Sequence, residues 1–185
     1  MLFRSCSAEV ALGRLMDQNF DKCFAWLMGH EGGYCNDAHD PGGMTCWGVT
    51  HYAWASWVGR DPTEDEMRGL TQDDVKPLYK ARYWDKLQGD LLPSGVDYVL
   101  FDFSAGSGVT RAVKTIQRLV GTSMDGLLGP LTLAAIQAYD PRKLVEAVSE
   151  ARQEFLAAIP TYRWFGKGWS RRVQEVRECA LTLIC

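Results

Sequence analysis

The sequence predicts a mainly α-helical fold with at most a small β-hairpin near residues 34–50, on three observations. Apolar residues recur at helical spacing in successive segments, most of those segments open on a helix-start signal, and alternation of period two is nearly absent. Phe20, Phe24, Leu27 and Glu31 share one helical face, with Asn19 placed to cap its start and Gly32-Gly33 placed to stop it in a left-handed turn. The glycine-rich run that follows holds the hairpin. Asp61-Pro62 with Thr63 to Glu66 opens another helix. Thr71 to Asp74 opens the next, with Val75, Leu78, Tyr79 and Arg82 repeating at helical spacing. Pro77 lies inside that helix, lacks an amide hydrogen and is expected to kink or restart it. Val109, Val113, Ile116 and Val120 form a stripe closed by Gly121. Pro130 and Asp140-Pro141 start two more helices, the second with Leu144, Val145, Val148 and Phe155 on one side, and Trp169, Val173, Val176 and Ala180 mark the last.

Composition narrows the function. At 185 residues, 46% hydrophobic and 23% charged, the chain has ordinary globular usage and enough length for a sizeable core. A net charge of −3 offers no basic field for neutralising phosphates, which argues against a nucleic-acid binder. Arg163, Lys167, Arg171, Arg172 and Arg177 form a local basic cluster that is read as a solvated helix face. No apolar run approaches the length of a membrane span, and Glu9, Arg14 and Asp17 interrupt anything like a signal-peptide core. The protein is therefore expected to be made in the cytoplasm without its own export signal.

The densest chemistry lies in residues 31 to 45. Glu31 shares the apolar stripe of its helix, and a carboxyl drawn toward an apolar wall loses solvation of its charged form, so retention of its proton near neutral pH is expected. Such a group is suited to general-acid work. The loop after it holds Asp37, Asp40 and Thr45 around a turn built by Pro41, Gly42 and Gly43. Chemistry that protonates a leaving oxygen and stabilises positive charge needs an acid and a nearby group to handle water, and Glu31, Asp40 and Thr45 supply that set.

The run Glu-Gly-Gly-Tyr-x-Asn-Asp-x-x-Asp-x-Gly-Gly-x-Thr-x-x-Gly-Val-Thr, residues 31 to 50, resembles the signature of glycoside hydrolase family 108, bacterial and phage N-acetylmuramidases. The likeness continues through Leu70-Thr71, Tyr79, Arg82-Tyr83-Trp84, Asp97-Tyr98 and Phe101-Asp102. Beyond these, Arg111-Ala112-Val113, Ile116 to Leu119, Asp125-Gly126, Gly129-Pro130 and Thr132 resemble the peptidoglycan-binding region that accompanies the catalytic part. The resemblance spans about residues 20 to 182. It implies a lysozyme-like, two-lobed helical fold that cleaves the β-1,4 bond between N-acetylmuramic acid and N-acetylglucosamine, with no metal or other cofactor. The division expected is an N-terminal extension at 1–19, a catalytic lobe at 20–103 and a peptidoglycan-binding-like lobe at 104–185, with the cleft between the lobes.

Within that resemblance Glu31 occupies the position of the family's catalytic acid. The set is also similar to that of phage-type lysozymes, which makes Asp40 and Thr45 the candidates for positioning or activating water, with Asp37 competing with Asp40. Tyr34, Asn36, Asp37, Trp47, Tyr52 and Trp84 are the candidate sugar contacts, because flat aromatic faces with polar tips suit pyranose rings. Trp54 and Trp57 lie in the same stretch. The chain departs from its relatives at Ala105-Gly106-Ser107-Gly108, where they often read Val-Asn-Ser-Gly; an asparagine side chain is missing at Gly106.

Other readings are weaker. Six cysteines are present, and a bridge between Cys35 and Cys46 would rigidify the loop, although free buried thiols are the default for a protein folded in the cytoplasm. A cysteine peptidase using Cys35 or Cys46 with His51 lacks an obvious feature that would lower either thiol. His30, His39 and His51 match no metal-binding spacing. The alternatives to hydrolysis are a lytic transglycosylase acting on the same bond and a non-catalytic peptidoglycan-binding protein. Peptidoglycan is the expected partner and the periplasm or cell wall the expected place of action. A holin or a secretion apparatus is expected to carry a monomeric enzyme there, and an immunity protein would accompany it if it is an effector rather than an endolysin.

Overall fold

The computed structural model describes residues 19–36 and 43–184. It is mainly helical, as the periodicity predicts, with one three-stranded antiparallel sheet. The described residues divide into two compact units, residues 24–82 and a larger unit formed by 19–23 with 83–184. No helix of the described residues is long and apolar enough to cross a membrane.

Residues 19–28 are helical and are called α1. Asn19 is already inside the helix rather than capping it, and its amide donates to Ser94 Oγ at 3.0 Å and Asp97 Oδ2 at 2.9 Å. Those bonds tie the start of α1 to the residues that begin the central helix of the larger unit. The helix also stops earlier than Gly32-Gly33. After residue 28 the bonds shorten to His30 N–Leu27 O and Glu31 N–Met28 O, and neither Gly32 nor Gly33 takes a positive φ. Glu31 consequently sits in a tight tail beyond the helix, not in its last turn.

The smaller unit is built on the sheet. β1 (Cys35–Asn36) pairs with β2 (Met44–Cys46), Cys35 opposite Thr45, and β2 pairs with β3 (Val49–Thr50), Cys46 opposite Val49. Trp47 and Gly48 form the two-residue turn between β2 and β3 with φ of 49° and 71°, the signs that a type I′ turn requires. Three short helices follow: α2 (His51–Val58), capped by Thr50; α3 (Glu64–Gly69); and α4 (Gln72–Tyr79). Both capping boxes read from sequence are present, Thr63 with Glu66 and Thr71 with Asp74. Pro77 neither breaks nor restarts α4. The α-helix runs on to Tyr79 and then loosens into π geometry over Lys80–Trp84.

The larger unit is organised around α5 (Val96–Ser107), in which every residue from Val96 to Ser104 is buried. It packs against α6 (Val109–Val120), α8 (Pro141–Ala157) and α9 (Tyr162–Leu181), with α7 (Pro130–Gln137) on α6. Phe20, Trp84 and Phe101 meet with ring centroids 5.3 to 5.9 Å apart, Phe101 edge to face with both of the others. Trp84 is 1% exposed and its indole donates to Asp90 Oδ1 at 2.7 Å, so this candidate sugar contact is a core residue instead. Buried Gln117 shapes the loop before α7. Its amide donates to Asp125 Oδ1 at 2.7 Å and Leu127 O at 2.9 Å, and its carbonyl accepts from Gly126 N at 2.9 Å. The basic cluster of α9 is not one solvated face, because Arg172 turns inward to Asp102 at 2.8 Å.

Asp97, at the start of α5, carries a pH dependence. Burial pushes its carboxyl up to about 6, against hydrogen bonds from Asn19, Tyr98 N and Gly95 N. The native state therefore holds this proton more tightly than the unfolded chain, where the group titrates near 3.8. The stabilisation is fully present below 3.8 and is lost as pH rises through 6. About 3 kcal/mol is at stake. Urea unfolding midpoints of wild type and Asp97→Asn between pH 4 and pH 7 check it: the wild type should lose stability relative to the variant across that window, and parallel curves would discount the buried carboxyl.

Candidate active site

Glu31 lies between two pieces of the smaller unit that close on it. Trp47 N donates to Gly32 O at 3.0 Å, which fastens the β2–β3 turn to the residue after Glu31. The hydroxyl of buried Tyr79, at the end of α4, donates to Trp47 O at 3.0 Å, and the Trp47 indole donates to Leu70 O at 2.9 Å. Those three bonds hold a non-glycine residue at positive φ, a conformation that isolated residues rarely keep. They also bring the backbone of Gly48 against the acid. A Cβ built on Gly48 would lie 2.6 Å from Glu31 Oε2 and 2.5 Å from the Tyr79 hydroxyl. Only a residue without a side chain leaves room for both oxygens. Glu31 is half-buried and Gly48 exposed, so the carboxyl is supported from below and still meets solvent.

Of the remaining candidates, Thr45 is half-buried on β2 and its hydroxyl contacts Gly43 O at 3.4 Å. Asp37 and Asp40 fall outside the described residues. Tyr34 braces the sheet on α3: its hydroxyl donates to Glu64 Oε1 at 2.9 Å, and the Arg68 guanidinium sits 4.3 Å from its ring centroid. The Tyr34 bond, with Arg68, holds the Glu64 carboxyl below its usual range. Asn36 is exposed at the end of β1. Trp47 is a half-buried turn residue whose indole nitrogen is engaged, leaving its ring as the part that can face a ligand. Tyr52 is 72% exposed on α2, an available flat surface.

The cysteines follow from the register. Cys35 pairs with Thr45, so Cys46, the next residue, points to the opposite face, and both thiols are free. A bridge between them would require the strand to turn over. Burial pushes the Cys46 thiol up and its Sγ lies against Leu70 O, while His51 Nε2 is engaged with Asp61 Oδ1 at 2.9 Å. Neither is arranged for thiolate chemistry.

Gly48 and Tyr79 were not singled out as site residues from sequence. Gly48 stands in the Gly-Val-Thr of the family-like run and Tyr79 in the likeness that continues beyond it, but their role depends on a close approach that linear spacing does not show.

With this geometry in place, the comparisons are specific. A glycosyl hydrolase 108 model matches residues 24–108, and a model described as a predicted peptidoglycan domain matches residues 111–174. The solved structure of Brucella abortus SagA is similar, with a TM-score of 0.83 and 38% identity over 90% of this chain and 96% of that one. No curated protein matches the sequence.

Proposed function

The chain belongs to the glycosyl hydrolase 108 family and carries a predicted peptidoglycan domain, and from that premise we propose that it cleaves the β-1,4 bond between N-acetylmuramic acid and N-acetylglucosamine with Glu31 as general acid. The observation that carries this reading is the Glu31 carboxyl seated over Gly48 beside the Tyr79 hydroxyl. Glu31 gives its proton to the glycosidic oxygen as the bond to C1 breaks, positive charge develops on the ring, and water completes the hydrolysis. Thr45 or Asp40 directs that water. Action on the intact wall, in the periplasm, produces lysis.

Mass spectrometry of the fragments released from purified Gram-negative peptidoglycan tests the bond. Reducing-end muramic acid is expected. Anhydro-muramic ends would mean transglycosylation, and reducing N-acetylglucosamine would mean the other linkage.

Gly48→Ala tests the geometry. The methyl group would land on the Glu31 carboxyl in a backbone conformation that disfavours side chains, at roughly 1 kcal/mol for the backbone alone. The variant should stay folded by circular dichroism, and fragment release should fall by roughly a hundredfold or more, as expected for a displaced catalytic group. Wild-type turnover in this variant would mean that the close approach does not position the acid.

A further inference from the structure

A second pocket lies in the larger unit, built from the start and outer face of α6. It encloses about 680 Å³, and its lining includes Lys86, Arg111, Lys114 and Arg118 but no aspartate or glutamate. Arg111, Lys114 and Arg118 are spaced i, i+3 and i+7 and so share one side of the helix. Among the described residues none of the four cations is paired with a carboxylate. Asp125 feels the charge of Lys114, but its Oδ1 is already taken by Gln117 and the Leu127 amide. The Arg111 guanidinium lies 4.0 Å from the Phe155 ring centroid, which orients it while leaving its N–H edges for a ligand. Gly108, which begins α6, has no side chain to bond the first helical amides, and they border the same pocket.

Four exposed cations gathered in one concavity, in a chain whose net charge is −3, make a local positive field that attracts an anion. The glycan backbone of peptidoglycan is neutral. Its repeated anions are the carboxylates of the peptide stems. We propose that this pocket binds stem-peptide carboxylates, so that the protein holds its substrate by the peptide while the glycan is cut elsewhere. The proposal rests on the peptidoglycan reading above. Paired, planar recognition by Arg111 and Arg118 with point charges from Lys86 and Lys114 suits a stem that carries several carboxylates within a few residues.

The test separates this from the catalytic reading because the probe carries no glycosidic bond. Calorimetric titration of the full chain with the free tetrapeptide stem L-Ala–γ-D-Glu–diaminopimelate–D-Ala should show binding that weakens with salt. The Lys114→Gln/Arg118→Gln variant alters exposed side chains only, and its affinity should fall by roughly tenfold per charge removed. Arg142→Gln/Lys143→Gln, exposed at the start of α8, serves as a charge-matched control and should bind as wild type does. Equal affinity in the pocket variant and the control would overturn the proposal, as would a pocket that takes inorganic phosphate but not the tetrapeptide. Fragment release from intact peptidoglycan by the wild type, measured in parallel, reports on the glycan cut: its absence would sink the catalytic reading, while tetrapeptide binding would leave the pocket standing.

Discussion

Glu31→Gln is expected to abolish release of soluble fragments from peptidoglycan, with a loss of about two to four orders of magnitude in turnover, the range for removing a positioned general acid. Glutamine keeps the length and shape of the side chain, so the approach of residue 31 to Gly48 can persist and the fold should be untouched. Sedimentation with insoluble peptidoglycan should therefore show binding retained while turnover disappears. Undiminished fragment release by the variant would eliminate Glu31 as the acid, whereas no release by either wild type or variant would favour a protein that acts by binding.

Asp102→Asn is expected to be the most destabilising conservative change in the larger unit. The carboxylate is fully buried on α5, and it accepts from Arg152 Nη1 on α8 at 2.6 Å and from Arg172 Nη2 on α9 at 2.8 Å. Burial alone would raise its pKa, but the two guanidinium groups overcome that and hold it below the usual carboxylate value. Its contribution to stability is thus present above pH 3.8 and disappears as pH falls through the lowered native value. Asparagine leaves two cations facing a neutral group, and breaking a buried pair in this way costs about 3–5 kcal/mol. A melting temperature lower by roughly 10 °C should follow for a chain of this size. Replacing Asp102, Arg152 and Arg172 together by apolar residues should cost less than Asp102→Asn, because no charge is then left buried alone. Melting of Asp102→Asn at the wild-type temperature would show that the triad is not what joins these helices.

The elements legible in the sequence are those that carry their own local signal. The Thr63 and Thr71 capping boxes, the Asp140 cap with Pro141, and the Gly121 stop of α6 all appear where local chemistry puts them, because a cap satisfies backbone groups a few residues away. α5 gave no such signal. It is buried on every side, so no polar face breaks its apolar run into a period, and only packing against α6, α8 and α9 makes it the centre of its unit. Asn19 and Gly32-Gly33 depart from the local expectation because Asn19 lies within the helix and donates to a distant residue, Asp97, and because a tight turn after residue 28 ends the helix before the glycines.

The candidate site divides in the same way. Glu31 was legible because its motif and its place after an apolar helix are both properties of neighbouring residues. Trp84 lies in the core and not in a cleft, a distinction that an aromatic ring does not carry until its neighbours, Phe20, Phe101 and Asp90, are known. Local sequence by itself determined the helical class, the hairpin and the acid, since caps, turns and periodicity act over a few residues. Only the tertiary structure decided that Gly48 and Tyr79 close on that acid, that Asp102 gathers two arginines from distant helices, and that Lys86 joins the three cations of α6 in one pocket, because each of these depends on distances between residues far apart in the chain.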